Sequence, residues 1–138
     1  MSVFATDSNR LSTVVKYELE PQESVCREVV TVNDAAQTYK VGAVLGKVTA
    51  TGKYKLQDAA SADGSQVAAG IVIGGVLGFS GDLAITATTD TQVLILARGP
   101  AIVAKGALSF GAGTSTAPQK QAVYDALKAL GISAETTV

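Results

Sequence analysis

At 138 residues and 47% apolar composition, the chain is long enough to bury one core and is too apolar to be intrinsically disordered. Its formal net charge of −1 argues against nucleic acid as the main partner, because phosphate binding needs a positive excess. The sequence has no histidine and a single cysteine, so it lacks the commonest general base and zinc ligand and cannot form an internal disulfide. Composition therefore predicts a protein that is not an enzyme and carries no cofactor or metal.

The first 24 residues are predicted to form an extended arm. Its apolar residues follow no regular period, and Pro21 interrupts any strand or helix there. These residues are Leu11, Val14, Val15, Tyr17 and Leu19. A short strand is expected within residues 13–19, and two placements are open for it. It either adds to the sheet of a partner protein or packs as a strand on the chain's own domain.

Residues 25–138 are predicted to form one compact domain, mostly β, of a β-sandwich or barrel-like kind, which ends in an α-helix. Strands are expected at residues 27–32, 41–49, 54–56, 67–73, 83–88, 92–98, 101–104 and 107–110. Turn residues separate these segments, and the aspartates at 34, 58, 63, 82 and 90 are expected to form the turns. Cys26 is expected to be a small buried hydrophobic residue.

The uncharged run at residues 64–81 is the one segment that suggests a membrane. It contains several glycines, and its apolar part is shorter than the roughly 20 residues needed to span a bilayer. A buried strand followed by a glycine-rich turn is the predicted structure. No membrane partner is therefore expected, and the first ten residues show no signal-peptide pattern.

Residues 92–98 are predicted to form a strand that is apolar on both faces. Val93 and Ile95 alternate with Leu94 and Leu96. A strand of this kind is buried on both sides, either inside its own domain or by a neighbouring subunit. Leu94, Leu96 and Arg98 are therefore candidates for subunit contacts.

A C-terminal helix is predicted at about residues 117–130. Thr116 can cap its first turn, which contains Pro118. One helical face carries Val123, Ala126, Leu127 and Leu130. Gly131 stands where a left-handed residue ends many helices, and the segment after Ile132 is expected to be exposed.

One segment resembles a known family. The sequence YKVGAVLGKVTATGKYKLQDAASADGSQVAAGI, residues 39–71, resembles the head decoration proteins of the phage lambda type. The segments CREVVTVNDAAQ, VLILARGPAIVAKGALSF and KQAVYDALKALGI are similar to further parts of that family, so the resemblance covers residues 26–132. Residues 73–89 depart from it, because the family carries a more acidic loop there.

The resemblance implies a virion structural protein, made in the bacterial cytoplasm, that decorates the outer surface of the expanded capsid. It implies a homotrimer that binds the major capsid protein and cements the head against the pressure of packaged DNA. The five apolar arm residues are then the expected capsid contacts. Two other classes stay open: another phage or surface β module, such as a tail-tube, fibre or adhesin subunit, and an enzyme or small-molecule binder. The last would need a pocket with converging polar groups, which the sequence does not indicate.

Overall fold

The computed structural model describes residues 15–18, 26–75 and 83–136. Within those ranges the chain forms ten strands, one α-helix and one short 3₁₀ helix. The elements are β1 (Val15–Glu18), β2 (Arg27–Val32), β3 (Gln37–Tyr39), β4 (Val44–Lys47), β5 (Tyr54–Leu56), β6 (Ala68–Gly75), β7 (Leu83–Ile85), β8 (Thr91–Leu96), β9 (Ala101–Ala104), the 3₁₀ helix Lys105–Ala107, α1 (Ala117–Ala129) and β10 (Ile132–Glu135). The prediction of a mostly β fold with one C-terminal helix is confirmed.

Five strands close into a barrel in the order β2-β5-β4-β6-β8. Neighbouring strands are antiparallel except at the β2–β5 contact, where Val32 is opposite Tyr54 in parallel register. The barrel encloses a core of Val30, Val32, Tyr39, Ala43, Leu45, Val72, Ile85, Val93 and Ile95. Closure pairs every strand on both sides, so the barrel has no free sheet edge.

A second core lies against the outside of the barrel. It is covered by α1 and by a three-stranded sheet in the order β1-β9-β10. Its buried members are Cys26, Val41, Val44, Ala68, Ile71, Ile73, Leu96, Ala101, Val103, Val123, Leu127 and Ile132. Cys26 is fully buried in this cluster, as expected for a small apolar residue.

Strand β8 separates the two cores. Val93 and Ile95 point into the barrel, while Leu94 and Leu96 contact the outer core. The side chains alternate because successive residues of a strand face opposite sides of the sheet. The outer core of the same chain therefore covers the second face of β8 fully at Leu96 and partly at Leu94.

Helix α1 begins and ends as its sequence predicts. The Thr116 hydroxyl accepts a hydrogen bond from the Gln119 backbone N–H at 3.4 Å, and the Gln119 side chain accepts one from the Thr116 N–H at 3.0 Å. This reciprocal pair is a capping box. Val123 and Leu127 are buried, and the helix stops before Gly131, whose φ is +88°.

Two predictions about elements need correction, and one strand was missed. The expected strand at 107–110 is wrong: the 3₁₀ helix occupies its start, and only Ser109 bridges to Ala43. Strand β3 was not predicted, because three residues are too few for a period to show. The C-terminal segment is also not simply exposed, because β10 pairs in parallel with β9. Parallel strands need a crossover connection, and α1 supplies it.

The predicted strand at 67–73 is confirmed as β6. A glycine-rich turn is expected after this strand, and its residues 76–82 are not among the described residues. In the part of the chain that is described, no helix combines the length and the apolar character needed to cross a bilayer.

Candidate interaction surfaces

Strand β1 places part of the predicted arm on the chain's own sheet. It pairs antiparallel with β9, with Val15 opposite Val103 and Tyr17 opposite Ile102. The Val15 side chain is half-buried against the outer core. This is the second of the two placements considered for the arm. Leu11, Val14 and Leu19 lie outside the described residues.

The three-stranded sheet has two outer edges. Because β9 is central, β1 and β10 each have one side that pairs with no strand in the described ranges. The unpaired N–H and C=O groups of an edge strand can bind an extended segment of another chain. Both edges are therefore candidate docking sites for a partner strand.

Ile102 adds an apolar side chain to the outer face of this sheet. Its neighbours Ala101 and Val103 are buried in the outer core, whereas Ile102 is 37% exposed. In register it lies between Tyr17 of β1 and Ser133 of β10. The face beside the candidate edge is therefore not wholly polar.

A second exposed apolar site lies on the barrel wall. Val29 of β2 is 49% exposed and is opposite Leu94 of β8 in register. Leu94 is half-buried against the outer core. We call these two residues the Val29–Leu94 patch. Nearby, Arg98 and Glu28 form an ion pair at 3.5 Å, with about half of each side chain exposed.

The predicted subunit-contact residues fall into two groups. Leu96 has no exposed surface, and its packing is complete within its own chain. Leu94 and Arg98 keep surface available, next to Val29 and Glu28. Val29 was not identified from the sequence. The alternation of side chains along β2 could have indicated its exposure, because Val29 faces the opposite side of the strand from the buried Val30.

A cluster of hydrogen bonds centred on Asp34 connects neighbouring strands at one end of the barrel. One Asp34 carboxylate oxygen accepts hydrogen bonds from the Tyr39 hydroxyl, the Gln37 side chain at 2.7 Å and the Leu56 N–H at 3.0 Å. The other accepts from the Ala35 N–H at 2.7 Å. Burial first, and then the hydrogen bond to Asp34, raises the pKa of Tyr39 well above its usual value. Asp34 thereby fixes β3 and β5 relative to the end of β2.

Two further aspartates are held by lysines of β5 and the turn before it. Lys55 is 2.8 Å from Asp63, and Lys53 is 3.0 Å from Asp90. The Lys55 ammonium, followed by the Ser65 hydroxyl, lowers the pKa of Asp63. A hydrogen bond from Asn33, followed by one from Lys53, lowers the pKa of Asp90. Both groups are therefore ionised at neutral pH and engaged in the structure.

These polar groups border shallow clefts. One has a volume of about 310 Å³ and is lined by Asn33, Val48, Thr51, Lys53, Lys55 and Asp63. Another, of about 280 Å³, lies between the Asp34 hydrogen-bond cluster and Phe110. Across the described ranges, no three histidine, cysteine or carboxylate side chains are close enough to hold a metal ion.

Comparison with known families adds to this geometry. The sequence model of one family, described as bacteriophage lambda head decoration protein D, matches residues 4–132. This includes the residues that carry the resemblance noted above and extends into the N-terminal arm. A comparison with curated proteins finds no match.

Proposed function

The chain belongs to the bacteriophage lambda head decoration protein D family, and from this we propose that it binds the major capsid protein as a homotrimer on the outer surface of the head. Membership makes it a structural component of the phage virion that decorates the capsid. The observation that carries the proposal is the family match over nearly the whole chain. Capsid binding by this chain would stabilise the expanded head against the pressure of packaged DNA.

The N-terminal segment is the proposed capsid-binding element. Strand β1 is short and lies at a sheet edge, and its outer side pairs with no strand among the described residues, so a partner strand could add there. Residues of the arm that precede β1 would extend the same line of contact. The proposed capsid contacts are Leu11, Val14, Val15, Tyr17 and Leu19.

The Val29–Leu94 patch is the proposed contact between subunits, with Arg98 at its rim. A three-fold ring uses two different surfaces of each subunit, because each contact is head-to-tail. The patch would supply the apolar half of such a contact. Glu28 and Arg98 carry opposite charges and could exchange partners between neighbouring copies, although exposed pairs of this kind contribute little energy.

Cosedimentation tests capsid binding. Purified protein is mixed with expanded, undecorated capsids and centrifuged, and the bound fraction is measured for the full chain and for two truncations. Removal of residues 1–20 should weaken binding, but it also removes β1 from the domain. Removal of residues 1–14 keeps β1 and is the matched control for folding. If both truncations bind as the full chain does, the arm is not the capsid-binding element.

Native mass spectrometry tests the subunit contact. Val29→Asp should shift the protein from trimer towards monomer, because a charge would be buried at the contact. Val67→Asp is the control, because Val67 is similarly exposed, at 55%, but lies away from the patch. Leu94 pairs with Gly74 near the end of β6, whereas Val67 precedes the start of that strand. Rings of six or open filaments in the unsubstituted protein would instead favour a tail-tube subunit. A trimer that survives Val29→Asp unchanged would exclude this patch as the contact.

A further inference from the structure

The loop between β5 and β6 contains the one Asp-Gly pair of the sequence, Asp63-Gly64. An aspartate followed by glycine is prone to spontaneous isomerisation of the backbone. The backbone nitrogen of the glycine attacks the side-chain carboxyl carbon of the aspartate, and glycine obstructs this least because it has no side chain and adopts many conformations. A bulkier residue at the second position would slow the reaction.

The fold does not permit a bulkier residue at position 64. Gly64 has φ of +107°, a region that side-chain-bearing residues rarely adopt. A Cβ atom there would lie 2.7 Å from the Lys47 carbonyl oxygen and 3.0 Å from the Thr49 nitrogen. Because this loop requires glycine, any protection of Asp63 must come from other groups.

Both reacting groups are restrained by hydrogen bonds. One Asp63 carboxylate oxygen is 2.8 Å from the Lys55 ammonium. The other accepts from the Ser65 hydroxyl at 2.6 Å and the Ser65 N–H at 3.1 Å. The Gly64 N–H donates to the Gln66 side chain at 2.8 Å. Attack of the nitrogen on the carboxyl carbon would break bonds on both sides.

We propose that Asp63-Gly64 is a latent isomerisation site that Lys55, Ser65 and Gln66 hold unreactive in the folded protein. In the reaction, a bond forms between the Gly64 nitrogen and the Asp63 carboxyl carbon. The carboxyl hydroxyl and the amide proton leave together as one water molecule, which gives a cyclic imide. Addition of one water molecule to either imide carbonyl then yields aspartate or isoaspartate. No other reactant is needed.

Lys55 has the leading protective role, because the protonated carboxyl loses water far more readily than the carboxylate. The ion pair keeps the pKa of Asp63 below its ordinary value of 3.8. Each pKa unit that is recovered when the pair is broken increases the protonated fraction about tenfold at a given pH above the pKa. The geometry acts in the same direction, since the carboxylate is held towards Lys55 and Ser65.

Isomerisation would disturb the wall of the barrel. Isoaspartate inserts one extra methylene group into the main chain between residues 63 and 64. The Thr49 N–H donates to the Asp63 carbonyl at 2.9 Å, and the Ser65 backbone lies so close to Gly46 that no Cβ atom fits between them. A longer main chain cannot keep both contacts. The protection therefore preserves the loop as well as one side chain.

An ageing experiment tests the proposal. The full-length protein and its variants are incubated at 37 °C and pH 6, and isoaspartate at position 63 is quantified by peptide mapping with electron-transfer fragmentation. Lys55→Gln should accelerate isoaspartate formation about tenfold for each unit by which the Asp63 pKa rises. Lys53→Gln is the matched control, because Lys53 pairs with Asp90 instead. Lys55→Arg restores the charge and should restore protection.

Folding is checked separately for each variant by circular dichroism and thermal unfolding. Unsubstituted protein denatured in urea gives the rate of isoaspartate formation without protection by the fold. This rate should exceed the rate in the native protein. The proposal is overturned if native and denatured protein age equally fast. It is also overturned if folded Lys55→Gln ages no faster than Lys53→Gln, or if Lys55→Arg ages as fast as Lys55→Gln.

Discussion

Gln57 is a fully buried polar residue whose removal should be costly. Its side-chain N–H donates to the Gln66 carbonyl at 2.8 Å, and its side-chain oxygen accepts from the Thr114 hydroxyl at 2.8 Å. The Thr114 hydroxyl also accepts from the Ala59 N–H at 2.9 Å. These bonds join the loop after β5 to the loop before α1. Gln57→Leu keeps most of the volume but removes both side-chain bonds.

The magnitude follows from the groups left without partners. Gln57→Leu leaves the Gln66 backbone carbonyl without its donor and the Thr114 O–H without its acceptor, at about 1–3 kcal/mol each. The added apolar burial offsets part of this, so we expect a loss of about 2–4 kcal/mol in the free energy of unfolding. Thr114→Val should lower the free energy of unfolding by about 2 kcal/mol, because it leaves the Gln57 side-chain oxygen and the Ala59 N–H without their hydrogen-bond partner.

The double variant provides the decisive measurement. Gln57→Leu with Thr114→Val removes both ends of one hydrogen bond, so its cost should fall below the sum of the single costs by about 1–2 kcal/mol. Urea unfolding followed by circular dichroism gives all three values. Gln92→Leu, at an exposed position of β8, is the control and should change stability by less than about 0.5 kcal/mol. Additivity within about 0.4 kcal/mol would refute the reasoning.

Three further predictions concern stability. Thr116→Ala should lower the free energy of unfolding in urea by about 1 kcal/mol, because it removes the capping box. Ser115→Ala is the control and should be close to neutral, so equal effects of the two substitutions would contradict the capping role. Gly131→Ala should lower the free energy of unfolding by at least about 1 kcal/mol, because the φ of Gly131 is positive. Gly106→Ala is the control, since a Cβ atom at Gly106 would have no neighbour within 4 Å. Equal melting temperatures for the two variants would argue against backbone strain. Because the folded pKa of Tyr39 is raised, its contribution to stability is complete below pH 10 and declines above it, by about 1.4 kcal/mol per pH unit. Tyr39→Phe should flatten this alkaline decline in urea titrations between pH 9 and 11.5, and an unchanged slope would exclude Tyr39 as its source.

Elements with strong local signals were predictable. Strand β2 and helix α1 carry their periodicity and their end signals in consecutive residues, and both lie where the sequence places them. The 3₁₀ helix is only three residues long, so no period can show in it, and β10 forms only by pairing with β9, which is distant in the sequence. Ile132 is buried only because β9 and α1 cover it.

The candidate surfaces were only partly predictable. Apolar residues on both faces of β8 correctly indicated two buried sides, but periodicity cannot tell whether the same chain or another subunit covers them. The structure shows that Leu96 is covered within the chain, and it identifies Val29 as the exposed neighbour of Leu94. Exposure of this kind depends on which elements pack on each side of the strand, and periodicity within one strand does not encode that packing.

The position of β8 between the two cores has a consequence for cooperativity. Ile95 belongs to the barrel interior and Leu96 to the outer layer, so adjacent residues of one strand anchor both. Neither layer can separate without displacing the strand that the other requires. The backbone amides of β8 should therefore exchange with solvent deuterium only when the whole domain unfolds, and the barrel and the α1 layer should form a single cooperative unit.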